Sequence, residues 1–184
     1  MERLRKTFRK FRLLFILPGI KWNDELFHKD FIRWKTILNI KESDTDALAY
    51  LLGTKPEFRN LFIYRNGHRP FYRRWVALWY HPMNTLYIET PEIGGGLFIQ
   101  HGFATMIAAK SIGENCWINQ QVTIGYKNHG TPPVIGNNVI ITCGAKVLGN
   151  IIVGDNVVIG ANAVVIHNVE NNAVVGGIPA YKLK

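Results

Sequence analysis

Cysteine and long apolar runs are scarce in this chain of 184 residues, and each scarcity excludes a class of protein. Its two cysteines, Cys116 and Cys143, form neither a CxxC pair nor a cluster with metal-ligand spacing, so neither a disulfide framework nor a metal centre is predicted. The apolar run at residues 13–17 is far shorter than the roughly 20 residues of a membrane span. No signal-peptide cleavage site follows it, and unlinked thiols suit a reducing compartment, so we expect a cytoplasmic protein.

Acidic residues are also scarce, and the formal net charge is +9. Residues 1–86 contain 17 Lys/Arg against 8 Asp/Glu, whereas residues 87–184 contain 5 of each. The basic residues lie among core-type aromatics and form no readable nucleic-acid motif, which argues against a nucleic-acid partner. The basic and apolar residues of segment 1–22 predict a helix. This helix either lies on an anionic membrane surface or packs on its own domain with a solvated basic face.

Helical spacing of apolar residues continues to about residue 81, which predicts a small α-helical region over residues 1–86. The predicted helices after the first begin at capping residues, at a proline or at an aromatic run: Asn23 or Asp24, Ser43, Pro56 and about Phe71.

After residue 82 the period of the sequence becomes six. A step of six from Ile135 always meets an aliphatic anchor: Ile141, Val147, Val153, Ile159 and Val165. Three positions after each anchor stand residues that tolerate positive φ: Asn138, Gly144, Asn150, Asn156, Asn162 and Asn168. Four positions after each anchor stand small or branched fillers: Val139, Ala145, Ile151, Val157, Ala163 and Val169. This pattern predicts a mainly β fold, a triangular parallel β-helix over residues 87–184.

The same step runs back through earlier anchors, so residues 88–170 are expected to form roughly four coils. These anchors are Ile124, Ile118, Ile112 and Met106, then Ile99 and Ile93. The step fails twice, by one extra residue between Ile99 and Met106 and by five within residues 125–133. Insertions into a solenoid emerge as loops at one edge, often at the binding face.

Three stretches of the repeat carry a resemblance to a known family: IGGGLFIQHG at 93–102, INQQVTIG at 118–125 and GAKVLGNI at 144–151. With the ending GGIPA at 176–180, they resemble the hexapeptide-repeat acyltransferases, and among these the serine O-acetyltransferases most. The resemblance covers about residues 40–184. It implies a left-handed parallel β-helix, a homotrimer or a dimer of trimers, and no metal. The implied reaction is acetyl transfer from acetyl-CoA to the hydroxyl of L-serine, for cysteine biosynthesis.

His101 matches the catalytic histidine of that family. A histidine suits the reaction because its pKa near the working pH lets it take a proton from the attacking hydroxyl, which supplies roughly 10²–10⁴-fold in rate. The aspartate that orients this histidine in the family has no counterpart, since the matching position is Leu86. Glu89 is therefore the candidate partner of His101. His129, in the predicted loop, is the candidate acceptor-binding residue.

The resemblance places the co-substrate acetyl-CoA in a groove between adjacent β-helices. Small residues are expected to form a low wall there, so that backbone amides bind the pantetheine and the developing oxyanion. These residues are Gly144, Ala145, Gly160, Ala161 and Ala163. Lys182 is expected to meet the nucleotide phosphates, and Pro179 to close the adenine end.

Two other functions remain open from the sequence. The missing aspartate and the basic N-terminal region also suit a sugar O-acetyltransferase of surface polysaccharide assembly. A non-catalytic or metal-binding β-helix module would instead need histidines that converge from neighbouring coils. Serine acetyltransferases that dock onto cysteine synthase usually end in isoleucine, whereas this sequence ends Leu183-Lys184, so we expect no such docking.

Overall fold

The computed structural model describes residues 1–128 and 130–184, apart from the side chain of Arg3. The described chain divides into two compact units, Met1–Met83 and Asn84–Lys184. The first unit is helical and the second is a parallel β-helix that matches the left-handed type, so the predicted fold class is confirmed. Among the described residues, no helix has the length and apolarity needed to cross a membrane.

The helical unit contains α-helices and a short 3-10 turn at Leu17–Gly19. The described helices are α1 (Glu2–Leu14), α2 (Glu25–Ile37), α3 (Asp44–Thr54), α4 (Pro56–Arg65) and α5 (Pro70–Trp79). Asp24 and Ser43, two of the predicted caps, accept hydrogen bonds from the backbone of Phe27 at 2.9 Å and of Asp46 at 3.3 Å. Each side chain thus satisfies an amide that the first helical turn leaves unpaired.

Aromatic side chains form much of the core of the helical unit. The ring of Phe27 lies 5.5 Å from that of Phe62, and the ring of Trp34 lies 5.3 Å from that of Phe58. These edge-to-face contacts join α2 to α4, and all four side chains are buried. The aromatics of this half therefore make the core, as their helical spacing predicts.

A buried ion pair also joins α2 to α4. Arg65 Nε donates to Asp30 Oδ2 at 2.7 Å, and Arg65 Nη2 donates to Asp30 Oδ1 at 3.1 Å. The two side chains are only 6% and 2% exposed, so each charge depends on the other for compensation.

The β-helix has three faces. Sheet 1 contains β1 (Leu86–Ile88), β4 (Thr105–Ile107), β7 (Thr123–Gly125), β10 (Lys146–Leu148) and β13 (Val164–Val165). Sheet 2 contains β2 (Glu92–Ile93), β5 (Ser111–Ile112), β8 (Val134–Ile135) and β11 (Ile152–Val153). Sheet 3 contains β3 (Phe98–Gln100), β6 (Trp117–Asn119), β9 (Ile140–Ile141), β12 (Val158–Ile159), β14 (Val174–Gly176) and β15 (Tyr181–Lys182). All neighbouring strands pair in parallel except β15, which turns back antiparallel along β14.

The described chain makes about five turns of the β-helix, one more than predicted. The first turn already begins at Leu86 with β1, and the last one closes at Gly176 with β14. In that last turn sheet 2 is reduced to a single bridge between Val153 and Val169. The sequence count missed this turn because its anchors no longer follow the step of six.

The interior of the β-helix follows the predicted repeat from Ile135 to Val165, where every anchor is buried. The prediction that Met106 is an anchor is wrong. Ile107 is the buried residue, and it pairs with Ile124 of the next turn, whereas Met106 is partly exposed. The connection between β3 and β4 is therefore longer than the step of six suggested, and the connection between β4 and β5 is correspondingly shorter.

Most of the predicted turn residues adopt the left-handed conformation. Asn138, Gly144, Asn156 and Asn162 have φ values of 55°, 73°, 58° and 58°. The prediction is wrong for Asn150 and Asn168, which do not have a positive φ. Gly149 takes φ 91° beside Asn150, and the Asn168 side chain accepts a hydrogen bond from Ile152 N at 2.8 Å.

Candidate active site

Two stacks of turns border sheet 1 along the β-helix. The stack that joins sheet 3 to sheet 1, here the His101 edge, contains residues 101–104, 120–122, 142–145 and 160–163. The stack that joins sheet 1 to sheet 2, here the loop edge, contains residues 89–91, 108–110, 126–128 with 130–133, and 149–151. The two edges are separated by the width of sheet 1, which is roughly 10 Å for strands of three residues.

His101 follows β3 directly, in the lengthened turn of the His101 edge. Its backbone is left-handed with φ 54°, and its carbonyl accepts a hydrogen bond from Phe103 N at 2.7 Å. The side chain is exposed, as the break in the repeat predicts. A non-glycine residue with positive φ is uncommon, and such strained positions cluster at functional sites. The backbone thus presents this imidazole outside the coil rather than in its core.

Carboxamide side chains lie beside His101 on the next turn. Gln100 pairs with Asn119 across β3 and β6, and Asn119 Nδ2 donates to Gln100 Oε1 at 3.4 Å. Gln120 therefore lies next to His101 along the edge, and its carbonyl accepts from Gly144 N at 3.0 Å. The Gln120 Oε1 atom is buried without a hydrogen-bond partner among the described residues. An unpaired buried acceptor is unfavourable by about 1–3 kcal/mol, so this oxygen is suited to a donor from a bound molecule.

The sequence analysis missed Gln120 because a glutamine in a repeat turn has no motif of its own. Only the register of β3 against β6 brings it beside His101.

Glu89 lies on the loop edge, where its side chain is exposed and its backbone N–H donates to Ile107 O at 2.9 Å. It is on the opposite side of sheet 1 from His101. Within one chain, therefore, Glu89 does not lie beside His101, and its role as the partner of His101 stays a prediction. The cause is the threefold path of the coil, which puts residues twelve positions apart on different edges.

His129, the predicted acceptor-binding residue, lies outside the described residues. The described parts of its loop are attached at the loop edge, where Lys110 N donates to Pro133 O at 2.8 Å. Lys127 lies against Gly149 of the next turn, since a Cβ on that glycine would come 3.1 Å from Lys127 Cβ. The base of this loop and His101 therefore lie on different edges of the same β-helix.

The predicted small-residue wall lies along the His101 edge, but not all of it faces outward. Ala161 is exposed, and Gly144 and Gly160 are partly exposed. Ala145 and Ala163 are fully buried, so their methyl groups fill the coil and do not line a surface groove. The prediction for these two side chains is corrected, because the position after each turn residue points inward.

Gly144 suits this edge for two reasons. Its φ of 73° is one that glycine adopts readily, and a Cβ there would meet the side-chain oxygen of Asn162. Pro179 and Lys182 belong to the closing segment, and both are exposed. Lys182 Nζ forms a surface ion pair with Glu170 at 3.2 Å, an interaction weak enough to leave the lysine available to a phosphate.

Among residues 1–128 and 130–184, no three side chains of His, Cys, Asp or Glu come together in a way that could hold a metal ion.

Comparison with known proteins identifies the repeat. Residues 132–167 match the family model described as bacterial transferase hexapeptide (six repeats). The β-helical unit carries this hexapeptide repeat. A serine acetyltransferase of Synechococcus elongatus is 45% identical over 95 residues, which are 48% of this chain and 38% of that protein. A serine acetyltransferase of Staphylococcus aureus is 47% identical over 97 residues, which are 50% of this chain and 46% of that protein. The chain thus spans less than half the length of these curated relatives.

Solved structures extend the similarity beyond the repeat. The crystal structure of a serine acetyltransferase from Brucella abortus has a TM-score of 0.66 and 25% identity, and covers 91% of this chain and 71% of that one. The same enzyme in complex with coenzyme A gives a TM-score of 0.65. The resemblance to hexapeptide-repeat acyltransferases of the serine acetyltransferase type is therefore confirmed.

Proposed function

We propose that this protein is an acetyl-CoA-dependent O-acetyltransferase with L-serine as its acceptor. The observation that carries the proposal is the 45–47% identity, over about half of the chain, to serine acetyltransferases. A similar solved structure, a serine acetyltransferase, is in complex with coenzyme A. The exposed His101 on a strained turn agrees with this activity. Acetylserine made in this way would serve cysteine biosynthesis, and the free thiols of Cys116 and Cys143 suit a cytoplasmic location.

His101 is the proposed general base. Its imidazole takes the proton of the acceptor hydroxyl while the hydroxyl oxygen bonds to the thioester carbonyl carbon. The carbon–sulfur bond then breaks, and the imidazolium returns the proton to the leaving thiolate. One proton moves from oxygen to sulfur and one acetyl group moves from sulfur to oxygen, so no other reactant is required.

The outward parts of the His101 edge are the proposed cofactor contact. Gly144, Gly160 and Ala161 carry little or no side chain, so a slender pantetheine chain can approach the backbone there. Lys182 and Pro179, in the closing segment, are the proposed contacts for the nucleotide end. The unpaired Gln120 Oε1 is suited to accept a hydrogen bond from the acceptor or from the pantetheine amide.

A homotrimer is part of the proposal. His101 and the base of the 126–133 loop lie on different edges of one β-helix. A site that contains both can form only where the His101 edge of one chain meets the loop edge of another. Such an arrangement closes into a ring of three when each triangular coil offers both edges.

A sugar O-acetyltransferase is the second candidate, and the side chains around His101 favour it. Gln100, Asn119 and Gln120 are amides, and residues 101–104 and 120–122 contain no carboxylate. Amides suit the hydroxyl groups of a sugar, whereas the ammonium group of L-serine is better matched by a carboxylate.

Thiol release from acetyl-CoA tests both candidates. The purified protein is assayed with L-serine, L-homoserine, and a panel of mono- and disaccharides. Release that depends on L-serine supports the proposal, and release that depends only on a sugar selects the second candidate. No acceptor-dependent release, together with zinc in the purified protein, would overturn the transferase assignment.

The role of His101 is tested with the best acceptor from that panel. His101→Ala is expected to lower kcat/KM by about 10²–10⁴-fold, because the proton is no longer removed as the hydroxyl attacks. His167→Ala is the matched control, since His167 is another exposed histidine of the β-helix and is expected to keep wild-type activity. Full activity of the His101 variant would rule out the mechanism.

A further inference from the structure

Helix α1 is oriented against the usual rule for an amphipathic helix. Its large apolar side chains point to solvent: Leu4 is 76% exposed, Phe8 is 59% and Phe11 is 52%. They recur at spacings of four and three and therefore share one face. In a helix packed on its own domain, this face would be the one that is buried.

The basic side of α1 instead holds the helix to its unit. Lys6 and Lys10 form ion pairs with Asp46 of α3, at 3.3 and 2.6 Å. The stem of Arg9 lies across Gly53, and its guanidinium lies 5.4 Å from the Tyr50 ring.

The C-terminal end of α1 is also held to the helical unit. Arg12 donates to Trp79 O and stacks 4.4 Å from the Tyr80 ring. Leu13 and Ile16, at and just after the end of α1, are 1% and 0% exposed. The outward direction of the phenylalanines is therefore fixed by a well-packed opposite side.

Helix α5 continues the exposed apolar surface. Phe71, Trp75 and Leu78 are 85%, 43% and 63% exposed, and they recur at spacings of four and three. Aromatic contacts connect this stripe to α1: Phe15 packs 5.1 Å from Phe11 and 3.9 Å from Trp79, and Trp75 Nε1 donates to Phe15 O at 2.8 Å. The exposed residues of the two helices thus form one surface, here the aromatic face, defined by Leu4, Phe8, Phe11, Phe15, Phe71, Trp75 and Leu78.

Basic residues accompany the aromatic face. Lys6, Arg9, Lys10 and Arg12 hold α1 to its own unit, so the cations left beside this face come from the rest of α1 and from α5, whose sequence contains two arginines and no acidic residue. Arg5, Arg73 and Arg74 are exposed. An apolar face with phenylalanine and tryptophan, bordered by cationic side chains, matches the interface of an anionic bilayer, where rings enter the headgroup layer and cations meet phosphates. A protein partner would need an equally acidic rim.

We propose that the aromatic face of α1 and α5 binds the surface of anionic phospholipid membranes, so that the protein is a peripheral membrane protein. The helices lie in the plane of the interface, with Phe8, Phe11 and Trp75 among the lipid headgroups. This inference is independent of the acetyl-transfer site, which it does not involve.

Vesicle co-sedimentation of the full chain tests the proposal. Wild type is expected to sediment with vesicles of phosphatidylcholine mixed with phosphatidylglycerol, and about tenfold or more weaker with phosphatidylcholine alone. Raising the salt concentration is expected to weaken the first association. The double variant Phe8→Ser/Phe11→Ser is expected to bind at least about tenfold more weakly, and Arg73→Gln/Arg74→Gln about fivefold more weakly per arginine.

Leu26→Ser is the matched control, because Leu26 is 41% exposed on α2, outside the aromatic face. It is expected to bind vesicles as wild type does. Equal binding of wild type and of the Phe8/Phe11 double variant would overturn the proposal. So would a wild type that ignores vesicles while the double variant halves the particle mass in solution, since the face would then join two copies of the chain. The double variant is expected to keep full thiol-release activity with a soluble acceptor, so failure of either proposal can be recognised separately.

Discussion

The helical unit and the β-helical unit achieve stability in different ways. In the β-helix buried residues stack on their equivalents in the next turn, and residues 18 apart perform the same task, as Val147 and Val165 do in β10 and β13. In the helical unit single long-range interactions join elements that share no pattern. Asp30 and Arg65, 35 positions apart, are an example. Because of this repetition, the fold of the β-helical unit can be predicted from its sequence. The helical unit depends instead on interactions between individual pairs of residues.

The difference extends to the outer surface. The β-helix carries balanced charge and exposes its candidate general base where the repeat is broken, at His101. The helical unit carries the excess positive charge and exposes a continuous aromatic face. The two proposals follow this division, since the transferase site is proposed on the repeat and the membrane contact on the helices.

The largest stability effect is expected in the helical unit, at the buried ion pair. Asp30→Ala leaves the Arg65 guanidinium buried without its carboxylate, so we expect a loss of about 3–5 kcal/mol in the free energy of unfolding. Urea unfolding followed by tryptophan fluorescence measures it. Glu25→Ala is the matched control, because Glu25 forms an exposed ion pair with Lys29 on the same helix and should change stability little. Equal stabilities of the two variants would contradict the idea that single interactions dominate this unit.

A turn of the β-helix is expected to give the next largest effect. Gly144→Val forces a β-branched residue into φ 73° and brings its Cβ onto Asn162 Oδ1, so a loss of about 1–3 kcal/mol is expected. Gly125→Ala is the control, since no atom lies within 4 Å of the added Cβ. Thermal unfolding compares the two. A Gly144 variant as stable as the Gly125 variant would show that the stacked turns tolerate more strain than their geometry suggests.

Alkaline pH is expected to weaken the helical unit selectively. Burial raises the pKa of Tyr72 and of Tyr80 to about 12, whereas an unfolded tyrosine titrates near 10. The unfolded state therefore releases protons that the folded state retains, and stability falls as the pH rises above about 10. Tyr80→Phe, which removes a buried hydroxyl without a partner among the described residues, should make this fall shallower in urea titrations at several pH values. An unchanged slope would refute the assignment.

The smallest effect is expected at Glu89. This exposed carboxylate lies across sheet 1 from the His101 of its own chain, and in the proposed homotrimer it is the 126–133 loop, two turns further along the coil, that meets the His101 edge. Glu89→Gln should therefore leave kcat/KM within about twofold of wild type and the pH–rate profile unmoved. A tenfold loss together with a shifted profile would instead mean that Glu89 of one chain reaches the His101 of another.

Repetition determined how much of the fold could be predicted. The anchors from Ile135 to Val165 were predicted correctly because each is checked by its neighbours six positions away. At Met106 a single sequence step could not distinguish one lengthened turn from a lengthened turn followed by a shortened one. In the helical unit, Asp24 and Ser43 were found because capping is local. The Asp30–Arg65 pair was not found, since it has no local signature, and the sequence left α1 open between a membrane surface and its own domain.

The candidate site also has features that the sequence predicted and features that it did not. The break in the repeat indicated the exposure of His101, but the partner of His101 and the role of Gln120 depend on which residues the coil brings to one edge. The inward direction of Ala145 and Ala163 likewise follows from the interior and not from residue size.

The antiparallel return of β15 along β14 has a consequence for how such a chain can grow. Leu183 N donates to Val174 O at 2.7 Å and Val174 N donates to Lys184 O at 3.0 Å, so the exposed rim of sheet 3 is already paired at this end. A further parallel strand of sheet 3 therefore cannot pair with the edge of β14 that β15 occupies. Because β10 and β13 pair at a period of 18 residues, a further period inserted between them would leave both His101 and the closing hairpin in place. The number of coils in the middle of the β-helix could thus change while its two ends stay the same.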